Sequence, residues 1–278
     1  MKIDPAAAWN GLEEPWRVCL SLAWEAYGAG TIPVGAALVD AEGAVVAEGR
    51  NRVYEPAAPP RQLANSLLAH AEVNALLALD PERRYEDHVL YTALEPCLLC
   101  VGATVMATVG RIRYAGADPY GGGDGALTGG NAHTERVPLR LEGPREDAFG
   151  VLASALLPAF FLRRNPDGHV VRAFAERAPA TLAVAERLLE AGAPELAVRG
   201  VPYRMRSGRS GCISRAPSCS NGRNLKPARV LRALTTRYYV QLPFPLPVST
   251  LTLRMLSGRP REAPDLHLCK YGGKGNPQ

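Results

Sequence analysis

The sequence predicts an α/β layer fold in which helices cover a sheet. Three observations carry this. Apolar runs of strand length alternate with longer stretches whose apolar residues recur at helical spacing. One helical stretch lies between two apolar runs, as in a crossover connection between neighbouring strands. The chain has 278 residues, of which 47% are hydrophobic and 21% charged. That balance suits a globular protein with its own core, and no stretch is long and charge-free enough to span a bilayer.

Each element follows from a local pattern. Pro15 to Ala29 carries Trp16, Cys19, Leu20, Leu22, Ala23, Trp24 and Tyr27 at helical spacing and ends in Gly28-Ala29-Gly30, which reads as a first helix. Val34 to Val39 and Ala44 to Glu48 read as strands joined by the hairpin loop Asp40-Ala41-Glu42-Gly43. Asn51 to Asn65 contains Pro56, Pro59 and Pro60 and reads as loop. A second helix is expected over Leu67 to Leu79, a buried strand over Val89 to Leu94, a third helix over Cys97 to Val109 and a strand over Ile112 to Ala115. A glycine-rich loop, Tyr120-Gly121-Gly122-Gly123-Asp124-Gly125, follows, with further helices at Phe149 to Leu162 and Pro179 to Ala191.

Charge divides the chain. Residues 1–198 hold 17 Lys and Arg against 25 Asp and Glu, a balance of −8; residues 199–278 hold 15 against 2, a balance of +13. The body is acidic and the end is basic. Beyond Gly200 periodicity is lost, and Leu242 to Leu253 is broken by Pro243, Pro245 and Pro247, so residues 200–278 are expected to be an unstructured tail, either one that contacts nucleic acid or a non-native or frame-altered extension. A second zinc site from Cys212, Cys219, His267 and Cys269 fits no usual spacing. The expected organisation is a catalytic domain over residues 1–165, a helical extension over 166–199 and the tail. The first residues, with Asp4, Glu13 and Glu14, lack the basic and apolar regions of an export signal. Reduced thiolates suit a cytoplasmic protein.

His70-Ala71-Glu72 and Pro96-Cys97-Leu98-Leu99-Cys100 carry the chemistry. One imidazole and two thiolates are a zinc ligand set, and three protein ligands leave a fourth position for water. Cys97 and Cys100, three apart, share one helix face, and Pro96 suits the start of that helix. A helix N-terminus favours thiolates. Glu72 is then free to move protons beside the metal. A Cys-x-x-Cys pair alone could be a redox couple, but that has no need of His-Ala-Glu. A closed structural zinc site needs a fourth ligand, and no Cys or His lies between Cys100 and His133.

These motifs, together with Ile32-Pro33-Val34-Gly35-Ala36, Glu48-Gly49-Arg50-Asn51-Arg52, Leu94-Glu95-Pro96-Cys97 and Tyr114-Ala115-Gly116-Ala117-Asp118, resemble the cytidine/deoxycytidylate-type deaminase superfamily. The likeness is to the branch holding tRNA adenosine deaminases and bacterial guanine and cytosine deaminases. It runs from about Trp16 to Asp118 and, more weakly, to Arg164. The resemblance implies a three-layer α/β/α fold around a mixed five-stranded sheet and a homodimer. It implies zinc on His70, Cys97 and Cys100, Glu72 as the catalytic proton shuttle, and substrate contacts from Asn51, Ala71, Glu95 and Asp118. It implies hydrolytic deamination of a nucleobase, nucleoside or nucleotide, with tRNA adenosine as the alternative substrate. Asn51 could equally be a turn residue closing the second strand, and Asp118 a loop acid. The tRNA enzymes usually follow the matching Asp with Lys-Thr-Gly, where this chain has Pro119-Tyr120-Gly121, and they carry Thr where it has Ala93. With the acidic body, this points to a small substrate.

Overall fold

The structure is a computed structural model and describes residues 5–125, 132–136 and 139–198. All of these lie in the first of the chain's two units, Met1–Tyr238. The expected tail at residues 200–278 lies outside the described residues, as do Cys212, Cys219, His267 and Cys269.

Five strands form one mixed sheet: β1 (Gly35–Val39), β2 (Val45–Arg50), β3 (Val89–Leu94), β4 (Arg111–Gly116) and β5 (Arg140–Glu142), in the order β2-β1-β3-β4-β5. β1 runs antiparallel to both β2 and β3, whereas β3, β4 and β5 are parallel. The hairpin between β1 and β2 is closed by Asp40, whose Oδ1 accepts the Ala44 N–H at 2.8 Å. β1 is buried throughout and β3 nearly so, which is why both read as unbroken apolar runs.

Alternate residues serve opposite faces. Ala37, Val39, Tyr91, Ala93 and Ala115 meet α2 (Glu14–Gly28) and α6 (Ala148–Arg164) on one face. Ala36, Leu38, Leu90, Leu94 and Ile112 turn to the other, where α3 (Ala71–Leu76) packs and α4 (Leu98–Met106) runs from β3 to β4. The helix layers on both faces make the expected α/β/α fold. α1 (Pro5–Asn10) precedes α2, α5 (Ala132–Arg136) precedes β5, α7 (His169–Arg177) and α8 (Pro179–Glu190) follow α6, and α9 (Ala193–Val198) lies against α2.

Two helices are shorter than their apolar pattern. The helix expected over Leu67 to Leu79 is confined to Ala71–Leu76. Upstream, Ser66 takes the Leu68 N–H on its hydroxyl and the Ala69 N–H on its carbonyl, so the chain turns, and His70 is extended at φ −75°, ψ 154°. The helix expected over Cys97 to Val109 is Leu98–Met106, with Cys97 extended as its capping residue and Thr108 at φ 60° ending it. In both cases a metal-ligand candidate stands at the entrance of a helix.

Candidate metal centre and active site

α3 and α4 bring their N-terminal ends together. His70 Nδ1 lies 3.5 Å from Cys97 Sγ and 3.4 Å from Cys100 Sγ, and the two sulfurs are 3.7 Å apart. These separations are the edges of a coordination tetrahedron. Bonds of about 2.3 Å to sulfur and about 2.05 Å to nitrogen place two sulfurs about 3.8 Å apart, and sulfur and nitrogen about 3.6 Å apart. The three donors therefore fit zinc without rearrangement. Among the described residues, no fourth His, Cys, Asp or Glu joins the group.

The short contacts make the proton affinities of the group unequal. The hydrogen bond from Cys100, helped by His70, outweighs burial and holds the Cys97 thiol at about 4. The same Cys97–Cys100 bond, with burial and Glu72, pushes Cys100 up. A cation between the sulfurs removes that inequality, because a coordinating thiol is deprotonated outright. His70 is pushed up by its contact with Cys97 against the effect of burial, with Glu72 and the Leu67 carbonyl adding to the rise.

Glu72 stands beside this group. It is 4% exposed, its Oε1 accepts the Thr92 hydroxyl at 2.9 Å, and its Oε2 lies 3.3 Å from Cys100 Sγ. Burial raises its carboxyl above the usual range, and His70 and the Thr92 hydrogen bond pull the other way. A carboxyl so placed can both take and give a proton. Thr92, wholly buried on β3, is the functional residue that the sequence analysis missed. Its signal was there in one respect: it is the one polar residue inside an apolar strand.

Asn51 follows β2 and is 2% exposed. Its Oδ1 accepts the Thr31 hydroxyl at 2.9 Å and the Val53 N–H at 3.1 Å, so it does close a turn. Asn74 of α3, also unmarked by the sequence, ties the loop to the helix. Its Nδ2 donates to the carbonyls of Arg50 and Leu63, and its Oδ1 accepts the Leu63 N–H at 2.7 Å. Gly49 allows β2 to approach α3: a Cβ there would lie 2.0 Å from the Ala71 carbonyl oxygen.

Glu95 and Asp118 are joined through the loop after β4. Both carboxylate oxygens of Glu95 accept backbone N–H groups, from Asp118 at 3.0 Å and Asp124 at 3.3 Å, so its side chain holds the glycine-rich loop. That loop returns to the metal group through Gly123, whose N–H donates to the Pro96 carbonyl at 2.8 Å. Asp118 Oδ1 accepts the Tyr120 N–H at 2.9 Å, and burial raises its carboxyl. Ala71, between His70 and Glu72, is fully buried.

Residues 11–116 match the zinc-binding region of the cytidine and deoxycytidylate deaminases. A tRNA-specific adenosine deaminase of Haemophilus influenzae is 34% identical over 167 residues, which cover 58% of this chain and 89% of that protein. The chain belongs to the cytidine and deoxycytidylate deaminase family. Within that family it is also similar to the guanine deaminase of Bacillus subtilis, 36% identical over 100 residues, which are 34% of this chain and 58% of that protein. The tRNA(Ile)-lysidine synthase of Deinococcus radiodurans is 35% identical over 112 residues, 39% of this chain. The chain spans only 18% of that protein's length, and 24% of the Deinococcus deserti counterpart.

Proposed function

We propose that the chain is a zinc-dependent aminohydrolase that deaminates an amino-bearing nucleobase, nucleoside or nucleotide and releases ammonia. One observation carries this reading: a buried carboxylate, Glu72, stands beside a three-donor zinc group without belonging to it. His70, Cys97 and Cys100 are the ligands in this proposal. Bound zinc supplies the activation of water, bringing its pKa to about 7. Glu72 would take one proton from the attacking water and deliver it to a ring nitrogen, then take the second from the hydroxyl added to the ring carbon and deliver it to the departing amine as the C–N bond breaks. Thr92 fixes Glu72 through Oε1 and leaves Oε2 for the transfers. Burial suits this double duty, because a raised carboxyl holds each proton between its removal and its delivery.

In this reading Asn51 donates from Nδ2 to the substrate, and Ala71 presents its backbone beside the reacting carbon. Asp118 lines the mouth, and Glu95 acts by positioning the loop that carries Asp118. The catalytic domain is residues 1–165, extended by 166–199. The protein is a cytoplasmic homodimer, and the basic residues 200–278 supply any nucleic-acid contact.

The second reading is tRNA adenosine-to-inosine deamination, and the Haemophilus relative favours it, since that match covers 58% of this chain and 89% of that protein. The acidic body and the Pro119-Tyr120-Gly121 stretch favour a small substrate. The test is ammonia release from cytosine, guanine, adenine, their nucleosides and nucleotides, and a tRNA anticodon stem-loop. The proposal expects turnover in the small-molecule panel. Efficient inosine formation in the stem-loop with that panel inert establishes the second reading.

A further inference from the structure

α3 is six residues long and carries Glu72 at its second position. Its buried apolar residues are Ala71 and Ala75, whose methyl groups interlock little with their surroundings. Such contacts seat the helix against the sheet and leave its position along its own axis loosely set. That position matters. Glu72 Oε2 stands 3.3 Å from Cys100 Sγ, and a displacement of about 1 Å at reacting groups can cost about 10²-fold in rate.

A strap in the loop after β2 supplies the constraint. Residues 61–65 are tied to β2 and its continuation on one side and to α3 on the other. Gln62 donates from Nε2 to the Glu48 carbonyl at 3.2 Å and accepts from Arg52 Nε at 3.0 Å, and the Asn65 N–H donates to the Arg52 carbonyl at 3.2 Å. Towards the helix, Leu63 is bonded through both its N–H and its carbonyl to Asn74. Arg61 reaches the far end, where Nη2 donates to the carbonyls of Leu77, Ala78 and Leu79 at 3.3, 3.0 and 3.4 Å. These carbonyls lie past the last turn, where the helix has no N–H of its own to offer, and a cation there also complements the negative end of the helix dipole.

The strap is held in a costly conformation. Arg61 and Asn65 have φ of 62° and 51°, and with Thr108 they are the non-glycine residues in the left-handed region among the described residues. Side chains disfavour that region, and such residues persist where their surroundings over-determine them. Arg61 adopts it while remaining exposed, so the core does not demand it; the bonds it secures are those to α3. We infer that Arg61 is a positioning residue: it fixes the C-terminal end of α3 and, through that short rigid helix, sets where Glu72 stands beside His70, Cys97 and Cys100. The inference rests on Glu72 as the proton carrier, and its test reads metal affinity as well as ammonia, so the two fail separately.

The experiment compares the full chain with Arg61→Gly and Arg61→Lys. Glycine suits the left-handed backbone, so Arg61→Gly removes the guanidinium and the strain together and should stay folded in a thermal melt. Lysine restores a cation that can bond the same carbonyls. In Arg61→Gly, kcat for ammonia release should fall roughly 10- to 100-fold with KM within about threefold, because the proton carrier is misplaced and the substrate contacts are not. Its zinc dissociation constant, from competition with a chelator, should rise roughly tenfold, since His70 opens the same helix. Arg61→Lys should recover most of both losses. A glycine variant that matches the wild type in either measurement overturns the inference. So does one that unfolds, and so do losses that lysine leaves unrepaired, since each makes the strap a structural element only. A wild type that releases no ammonia from any substrate refutes the reading of Glu72, and zinc affinity then decides the role of Arg61.

Discussion

Replacing Thr92 with valine keeps the shape of the side chain and removes one hydroxyl. That hydroxyl donates to Glu72 Oε1 at 2.9 Å, and both residues are buried, so water cannot take its place. A hydrogen bond to a charged group contributes about 1.5–3 kcal/mol, and leaving a buried carboxylate oxygen unpaired costs the same order. If that energy is expressed in the transition state, kcat/KM falls roughly 10- to 150-fold. Zinc content should not change, because Thr92 touches no ligand atom. Thr92→Ser, which restores the hydroxyl, should recover most of the loss. The assay is ammonia release on the best substrate of the panel, with elemental analysis of each variant. A Thr92→Val protein within twofold of wild type, or a Thr92→Ser protein as impaired as the valine variant, refutes the assignment of Thr92 as the residue that positions Glu72.

Other expectations follow from single contacts. Gly49→Ala drives a methyl group to within 2.0 Å of the Ala71 carbonyl and 2.4 Å of the Ala75 N, so it should destabilise by about 1–3 kcal/mol and lower Tm in a thermal melt. Asp147 caps α6 by accepting the Phe149 and Gly150 N–H groups, each at 3.0 Å, and Asp147→Ala should cost about 1 kcal/mol in denaturant unfolding. Burial alone would raise the Asp147 carboxyl, but Arg145 and these N–H groups outweigh it and hold it below its usual value. Its contribution is therefore present above the unfolded carboxyl range and lost as pH falls through the folded value, and Asp147→Ala should flatten the acid side of the stability curve. The effect is modest, since the side chain is 40% exposed. Asn51→Ala should raise KM more than it lowers kcat. A chain ending at Gly200 should fold and deaminate small substrates with near wild-type kinetics, and aggregation of that chain would show that the tail belongs to the fold.

The central sheet was legible because β1 and β3 are buried on both faces, so their sequences are apolar without interruption. β5 was missed because it has three residues, two of them the charged Arg140 and Glu142. α7 was missed because only Val170, Val171 and Phe174 turn inward, too few to establish a period. The second helix is shorter than expected because Leu67 and Leu68 continue a helical apolar pattern yet lie on the surface in the turn before His70, and the third because Val109 continues the pattern past Thr108, whose φ of 60° ends the helix. Hydrophobicity marks what is covered, and the sequence does not say by which part of the molecule. His70, Glu72, Cys97 and Cys100 could be picked out because spacing encodes them. Thr92 and Asn74 could not, since their partners lie on other elements, and only the pairing of β3 with its neighbours and the seating of α3 bring those groups together.

The account rests on Glu72 moving protons beside a metal that it does not bind. The most direct test is Glu72→Gln in the full chain, measured for zinc by elemental analysis and for ammonia release across the substrate panel. The account predicts about one zinc per chain in both proteins, with turnover in the wild type and almost none in the variant. Loss of zinc together with activity would make Glu72 a ligand, and retained activity at any pH would assign the acid–base work to another group. Either result contradicts the account.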